Sequence, residues 1–294
     1  MSTASLSRWL FWGPTLIWAS TWHVILYQLD SGVPVFNSIA WRFGLAALLL
    51  VALARWQGLS LRLPRSAHVL MAATGIVQYS GNYLAVYEAE RHIPSGLVAV
   101  LFCLMVYGNA LSGRLFFGQP VTRRFLGAAS GGVLGVVLIF WPEIAATGVR
   151  PTAAWGLGLG LCAVLVACIG NVLTLTLTRR GLPLVPVLAW SMGYGAVFLA
   201  GASLVSGQGL HFDLRLPYVL SLLYLAVAGS VIAFVLYFKL AQARGPAHAA
   251  LTGVTIPVIA LAISAVFEGW QVTPLAVGGM ALCLGSLYVA TRPG

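Results

Sequence analysis

Apolar residues in this chain come in long unbroken runs, and polar residues are confined to the short gaps between them. Ten runs approach or exceed the roughly 20 residues that carry a helix across a bilayer. They are Ser7–Gln28, Val35–Trp56, Ser66–Tyr87, Ser95–Phe117, Thr122–Trp141, Thr152–Thr178, Leu184–Ser206, Pro217–Gln242, Ala247–Phe267 and Thr273–Thr291. The gaps are rich in Gly, Pro and charged residues, the punctuation expected of tight turns. No stretch alternates with the period of two that marks a half-buried strand. The pattern predicts an all-α polytopic membrane protein of ten transmembrane helices, with no length left over for a soluble domain. The first run is too long for a cleavable leader and is read as a transmembrane helix.

Composition agrees with that reading. The 294 residues are 60% hydrophobic and 7% charged, against about 25% charged in an ordinary soluble domain. The net charge of +10 raises the question of nucleic acid, but its distribution answers no. With a cytoplasmic N-terminus, the inner gaps collect Arg8, Arg55, Arg62, Arg65, Arg114, Arg123, Arg124, Arg179, Arg180, Lys239, Arg244 and Arg292. The outer gaps hold only Arg91, Arg150 and Arg215, and all six acids lie at outer ends or in outer loops. Basic residues in short loops stay on the cytoplasmic side. The expected location is therefore the inner (cytoplasmic) membrane, with both termini cytoplasmic and the lipid bilayer as partner. Cys103, Cys162, Cys168 and Cys283 sit singly inside apolar runs and suit packing rather than metal binding. No metal or cofactor is expected. No clustered nucleophile and base is visible either, so an enzyme is not expected.

One phrase is written twice. "PVFNSIAWRFG" (Pro34–Gly44) opens the second run and "PLVPVLAWSMG" (Pro183–Gly193) opens the seventh. Two further landmarks repeat at similar offsets. "HIPSGLVAV", with Pro94, opens run four, and "RGPAHAALTGV", with Pro246, opens run nine; Gly118 with Val121-Thr122 parallels Gly269 with Val272-Thr273. Five helices per half is an odd number, so equivalent helices cross in opposite directions. The expectation is two inverted five-helix repeats, residues 1–148 and 149–294, an architecture that builds a site near the bilayer midplane.

The segment from Ser230 through Val289 resembles the second repeat of EamA-type transporters in the drug/metabolite transporter superfamily. The resemblance rests on Gly229-Ser230, Ala241 with Gly245-Pro246, Pro257, and Glu268 before Thr273. Trp18 in "LIWAST" and Arg42 in "AWRFG" carry a weaker copy in the first half. The resemblance implies ten helices in inverted repeats and export or exchange of small metabolites, amino acids prominent among them. The first half departs from the pattern, with Phe117 in place of Glu268 and Met105 near where a counterpart of Pro257 would fall.

Candidate substrate-binding residues come from polar and aromatic side chains inside the runs. Gln78, Tyr79, Asn82 and Tyr83 share a broad helical face, which looks either into a cavity or at a neighbouring helix. Tyr87 is nearer the outer interface and also suits an aromatic belt. Trp18 and Trp22 lie deep on one face of run one, where indole rings can hold an ammonium group. Arg42 has three outlets: snorkelling outward, pairing with an outer acid such as Glu88 or Glu268, or binding a substrate carboxylate. His23 reads as a packed neutral imidazole rather than a proton carrier. No acid occupies the middle of any run, which disfavours a pump for lipophilic cations.

Such a lining suits a small zwitterion: Arg42 or Asn82 for the carboxylate, an aromatic face for the ammonium, Trp18 and Tyr79 for the side chain. The expected function is a secondary transporter of neutral or aromatic amino acids, with other small polar metabolites or drugs, a channel or a structural membrane protein as the alternatives. The expected partner is a small-molecule substrate; the sequence leaves the oligomeric state open and is compatible with a monomer. For movement, Pro257 breaks one backbone hydrogen bond four residues after Gly253, so the pair forms either a hinge or a static kink. Run four lacks a central proline, and any bending there is expected at Gly108 or Gly113, spread over a longer stretch.

Overall fold

The computed structural model describes residues 3–93, 95–139, 141–147, 151–267 and 273–291. Among them, ten helical rods follow the ten apolar runs, and no strand occurs. The rods are α1 (Thr3–Leu29), α2 (Val35–Trp56), α3 (Arg65–Glu90), α4 (Ser95–Phe117), α5 (Arg123–Ile139), α6 (Pro151–Arg179), α7 (Leu184–Val205), α8 (Leu216–Arg244), α9 (Pro246–Phe267) and α10 (Pro274–Thr291). A short helix, Trp141–Thr147, lies between α5 and α6. By length and apolar content alone, the segments Val35–Trp56, Leu97–Phe117, Thr152–Arg179, Leu184–Val205 and Leu216–Arg244 qualify as membrane spans. Pro94, Glu268 and the Gly269–Val272 landmark lie outside the described residues.

Local signals fix the ends. Prolines 34, 64 and 183 stand immediately before α2, α3 and α7, where a missing N–H costs nothing. Gly58 (φ 67°) and Gly207 (φ 73°) turn the chain in the left-handed region just past α2 and α7, a conformation that a Cβ disfavours.

Three rods are not plain α-helices. Rod α3 passes through a π-helical turn at Gly75–Gly81, and α8 through another at Val227–Ile232. In each, a serine hydroxyl donates to the carbonyl five residues earlier: Ser80 to Gly75 at 3.2 Å and Ser230 to Leu225 at 2.9 Å. Rod α4 is interrupted at Cys103–Leu104, between Ser95–Phe102 and Met105–Phe117. There the bonds shorten to three residues, Cys103 N–H to Val100 at 3.1 Å and Leu104 N–H to Leu101 at 3.0 Å. This corrects the expectation of diffuse bending at Gly108 or Gly113. The interruption is local and lies one turn earlier.

Packing pairs α2 with α7, α5 with α10, α4 with α9, α1 with α8 and α9, and α6 with α3 and α4. Small residues let backbones touch, as membrane helices without a hydrophobic drive require. A Cβ on Gly135 of α5 would meet the Gly279 carbonyl of α10 at 2.7 Å. A Cβ on Gly195 of α7 would meet the Gly75 carbonyl of α3 at the same distance. The repeated Ala-Trp phrase has a reciprocal use. Trp41 donates its indole N–H to the His211 carbonyl at 2.8 Å, and Trp190 donates to the Leu61 carbonyl at 3.0 Å. Each tryptophan thereby clasps the loop of the other half.

Candidate functional site

A cavity of about 770 Å³, counting the part that opens outward, lies among α1, α2, α3, α4, α6, α8 and α9. Trp18, Trp22, Arg42, Gln78, Asn82 and Tyr83 all line it. The rest of the wall is mainly aliphatic and small residues, with the rings of Phe102, Phe234 and Tyr237 set among them.

Arg42 does not snorkel: it is 1% exposed, seven residues into α2, or about 10 Å along the axis at 1.5 Å per residue. Its Nε donates to the Ser230 hydroxyl at 3.0 Å, within the π turn of α8. Its guanidinium carbon sits 4.6 Å from the centre of the Tyr83 ring and 5.3 Å from that of Phe43, within cation–π range. Nη1 is buried with no hydrogen-bond partner. Glu88 is not its counter-ion, since Glu88 pairs with Arg91 at 3.2 Å on the surface. Glu90 is a buried acid within electrostatic reach of Arg42; it is 9% exposed, with both carboxyl oxygens unpartnered. A buried acid therefore exists, at the end of α3, where its position near a loop hid it in the sequence. Tyr87, near both Arg42 and Glu90, is fully buried and is no belt residue.

Two more unpartnered buried atoms belong to the cavity wall, the Trp22 indole N–H and the Gln78 Oε1. Gln78 packs closely on Gly170 of α6, where no side chain would fit. Trp18 is already engaged: its indole donates to the Gly229 carbonyl at 3.0 Å, and its ring meets those of Phe234 and Tyr237 at 5.3 and 5.2 Å. Asn82 is likewise engaged, donating to the Ala163 carbonyl of α6 at 2.7 Å. For Asn82 the cavity and the helix-packing readings both hold.

Tyr79 is not brought to the cavity. It is fully buried against Phe43, at 5.1 Å, and Phe234, at 5.3 Å. His23 lies on the exposed face of α1 with its ring edge-on to Tyr27, so it is not a core imidazole. Gly253 lines the cavity, and Pro257 lies one turn away outside the wall. Because Pro257 has no N–H, the Gly253 carbonyl is left free within α9. The Cys103 thiol of α4 donates to it at 3.3 Å. The interruption in α4 thus meets the proline-weakened turn of α9.

Four polar wall residues escaped the sequence reading: Thr21, Asn171, Tyr237 and Thr252. Asn171 carried a readable signal, a lone amide deep in an apolar run. Tyr237 carried none, because a tyrosine in α8 has many equivalent neighbours.

Among the described residues no group of three His, Cys, Asp or Glu could hold a metal ion. What the cavity offers is hydrogen-bond donors at one place, an acceptor at another and ring faces between. These are means of binding and orienting a small molecule.

Comparison with known proteins agrees with the geometry. The EamA-like transporter family matches residues 8–141 and 154–292. The "Uncharacterized inner membrane transporter YedA" of Escherichia coli (strain K12) is 28% identical, over 84% of this chain and 78% of that protein. The "Probable terminal-alkyne amino-acid exporter" of Streptantibioticus cattleyicolor is 25% identical, over 98% and 94%. A protein of known crystal structure superposes with a TM-score of 0.79 at 19% identity, covering 99% of this chain and 97% of the other, a likeness of fold. With nearly its whole length matched and its apolar rods surrounding a binding cavity, this chain belongs to the EamA-like transporter family and is a multi-pass membrane transporter of small molecules.

Proposed function

We propose that the chain exports or exchanges neutral amino acids, aromatic ones foremost, across the inner membrane by alternating access. The observation that carries this reading is the set of unpartnered polar atoms on residues that line the cavity. Arg42 Nη1 and the Trp22 indole N–H are donors, suited to a carboxylate. Gln78 Oε1 is an acceptor, suited to an ammonium group. Leaving buried donors and acceptors unmade costs about 1–3 kcal/mol each. A ligand presenting both a carboxylate and an ammonium recovers that cost on both sides. Arg42 carries the charge, and the aromatic wall takes the side chain. The name of the Streptantibioticus relative, an amino-acid exporter, supports the same substrate class.

Alternating access rests on two inverted repeats, residues 1–148 and 149–294, with both termini cytoplasmic. The helix pairing supports it: exchanging each helix of the first half for its counterpart turns α1–α8 into α6–α3 and α1–α9 into α6–α4, and both members of each pair occur. The matched π turns and the reciprocal tryptophans support it too. The Gly253–Pro257 segment, facing the interruption in α4, is the hinge of this scheme.

A thermal-shift screen of the purified protein against amino acids, sugars, nucleosides and organic cations tests the substrate class. Stabilisation that rises with concentration is expected for neutral amino acids. Stabilisation confined to another class contradicts the proposal.

A further inference from the structure

Away from Arg42, the cavity wall carries a second polar pole where α4, α6 and α8 meet. Asn109 Nδ2 donates to the Tyr237 hydroxyl at 3.0 Å, and Asn171 Nδ2 donates to the same oxygen at 3.2 Å. Asn171 Nδ2 also approaches Asn109 Oδ1 at 3.4 Å. All three side chains are buried, and both Asn171 and Tyr237 line the cavity.

Hydrogen-bond accounting decides what this pole presents. A phenolic oxygen has one proton to give and two lone pairs. Both lone pairs of Tyr237 are occupied by asparagine N–H groups, and no carbonyl or hydroxyl among the described residues accepts its proton. The O–H is therefore left for whatever fills the cavity. Asn171 spends its amide nitrogen within the cluster, and its Oδ1 takes no bond among the described residues. One free donor and one free acceptor stand side by side.

We infer that Tyr237 and Asn171 form a second subsite that recognises a neutral group able both to accept and to donate a hydrogen bond, at the far end of the substrate side chain. The inference rests on the amino-acid reading above and adds what distinguishes one amino acid from another. A hydroxyl fits both partners, accepting from Tyr237 and donating to Asn171; a carboxamide does the same. A carboxylate would face the Asn171 oxygen, and an ammonium would face the Tyr237 proton. The spacing sets the length. Arg42 bonds Ser230 on α8, and Tyr237 follows seven residues later, about 10 Å along the helix. That distance suits an extended side chain with a distal oxygen, and Trp18 and Phe234 line the interval. A phenol-bearing amino acid matches every feature.

The test is calorimetric titration of the purified protein in nanodiscs with L-tyrosine and with L-phenylalanine, which differ by the one oxygen. The expected result is tyrosine binding about tenfold tighter, the worth of one good hydrogen bond. In Tyr237→Phe that ratio should fall to about one. Asn171→Ala keeps the phenol and should lower the ratio part of the way, which preserves the test should Tyr237→Phe fold poorly. Equal binding of the two ligands to the wild type overturns the subsite, as does a tenfold ratio that survives both substitutions. Binding of neither ligand overturns the amino-acid reading itself, and the subsite with it.

Discussion

A guanidinium held almost without exposure inside an apolar bundle keeps its charge, so its desolvation has to be met by neighbours. For Arg42 those neighbours are Ser230, the Tyr83 and Phe43 faces, and the nearby Glu90. They leave Nη1 unpaired, and the account assigns that N–H to the substrate carboxylate. Arg42→Gln should weaken amino-acid binding by about 10- to 150-fold, the range for a charge-assisted hydrogen bond, measured by the same titration. Asn82→Ala should behave differently. It removes the bond to Ala163 and should lower stability by about 0.6–1.7 kcal/mol, the span for interhelical bonds in membranes, read as a fall in melting temperature. At this scale the sequence showed which side chains are too polar for lipid. It did not show which are already spoken for, because the partners of Arg42, Trp18 and Asn82 lie 188, 211 and 81 residues away. Tyr79 failed to reach the cavity for a related reason: the surfaces that take it, Gly195 of α7, Phe43 of α2 and Phe234 of α8, belong to other helices.

Among the elements, the contact between α4 and α9 sets how the bundle can bend. Pro257 frees the Gly253 carbonyl, and the Cys103 thiol occupies it. Pro257→Ala restores an N–H to compete for that carbonyl and straightens the helix. Transport should slow by more than binding weakens, since Pro257 is off the cavity wall; an unchanged turnover in counterflow would contradict the hinge. The proline was legible in the sequence. The interruption at Cys103–Leu104 was not, because neither residue is a helix breaker by itself and the free carbonyl belongs to another helix. The α5–α10 pair gives a cleaner packing test. Gly135→Ala drives a methyl into the Gly279 carbonyl, where the backbone cannot swing aside. A loss of about 1–3 kcal/mol is expected for such overpacking, seen as reduced thermal stability in detergent.

At the scale of the whole molecule, the ten-rod architecture was readable because lipid imposes one rule on every segment: backbone groups must bond within the helix. The runs and the rods agree within about three residues at most ends. The proposed orientation rests on the charge distribution of the loops. An impermeant thiol reagent should reach Asp213→Cys from outside and Arg180→Cys only after permeabilisation, in a background lacking the native cysteines. The first substitution gives up an exposed pair with Arg215, at 2.6 Å, and such pairs contribute little. What one sequence could not convey was the shape of the cavity, which seven rods from both halves enclose.

The central claim is that this cavity carries amino acids from one side of the membrane to the other, one face open at a time. Counterflow in proteoliposomes tests it most directly. Vesicles are loaded with unlabelled L-tyrosine and diluted into a trace of labelled L-tyrosine. The account predicts a transient accumulation of label well above equilibrium, accelerated by the internal substrate and lost in Arg42→Gln. Label that only equilibrates, at a rate indifferent to the internal amino acid, would contradict it.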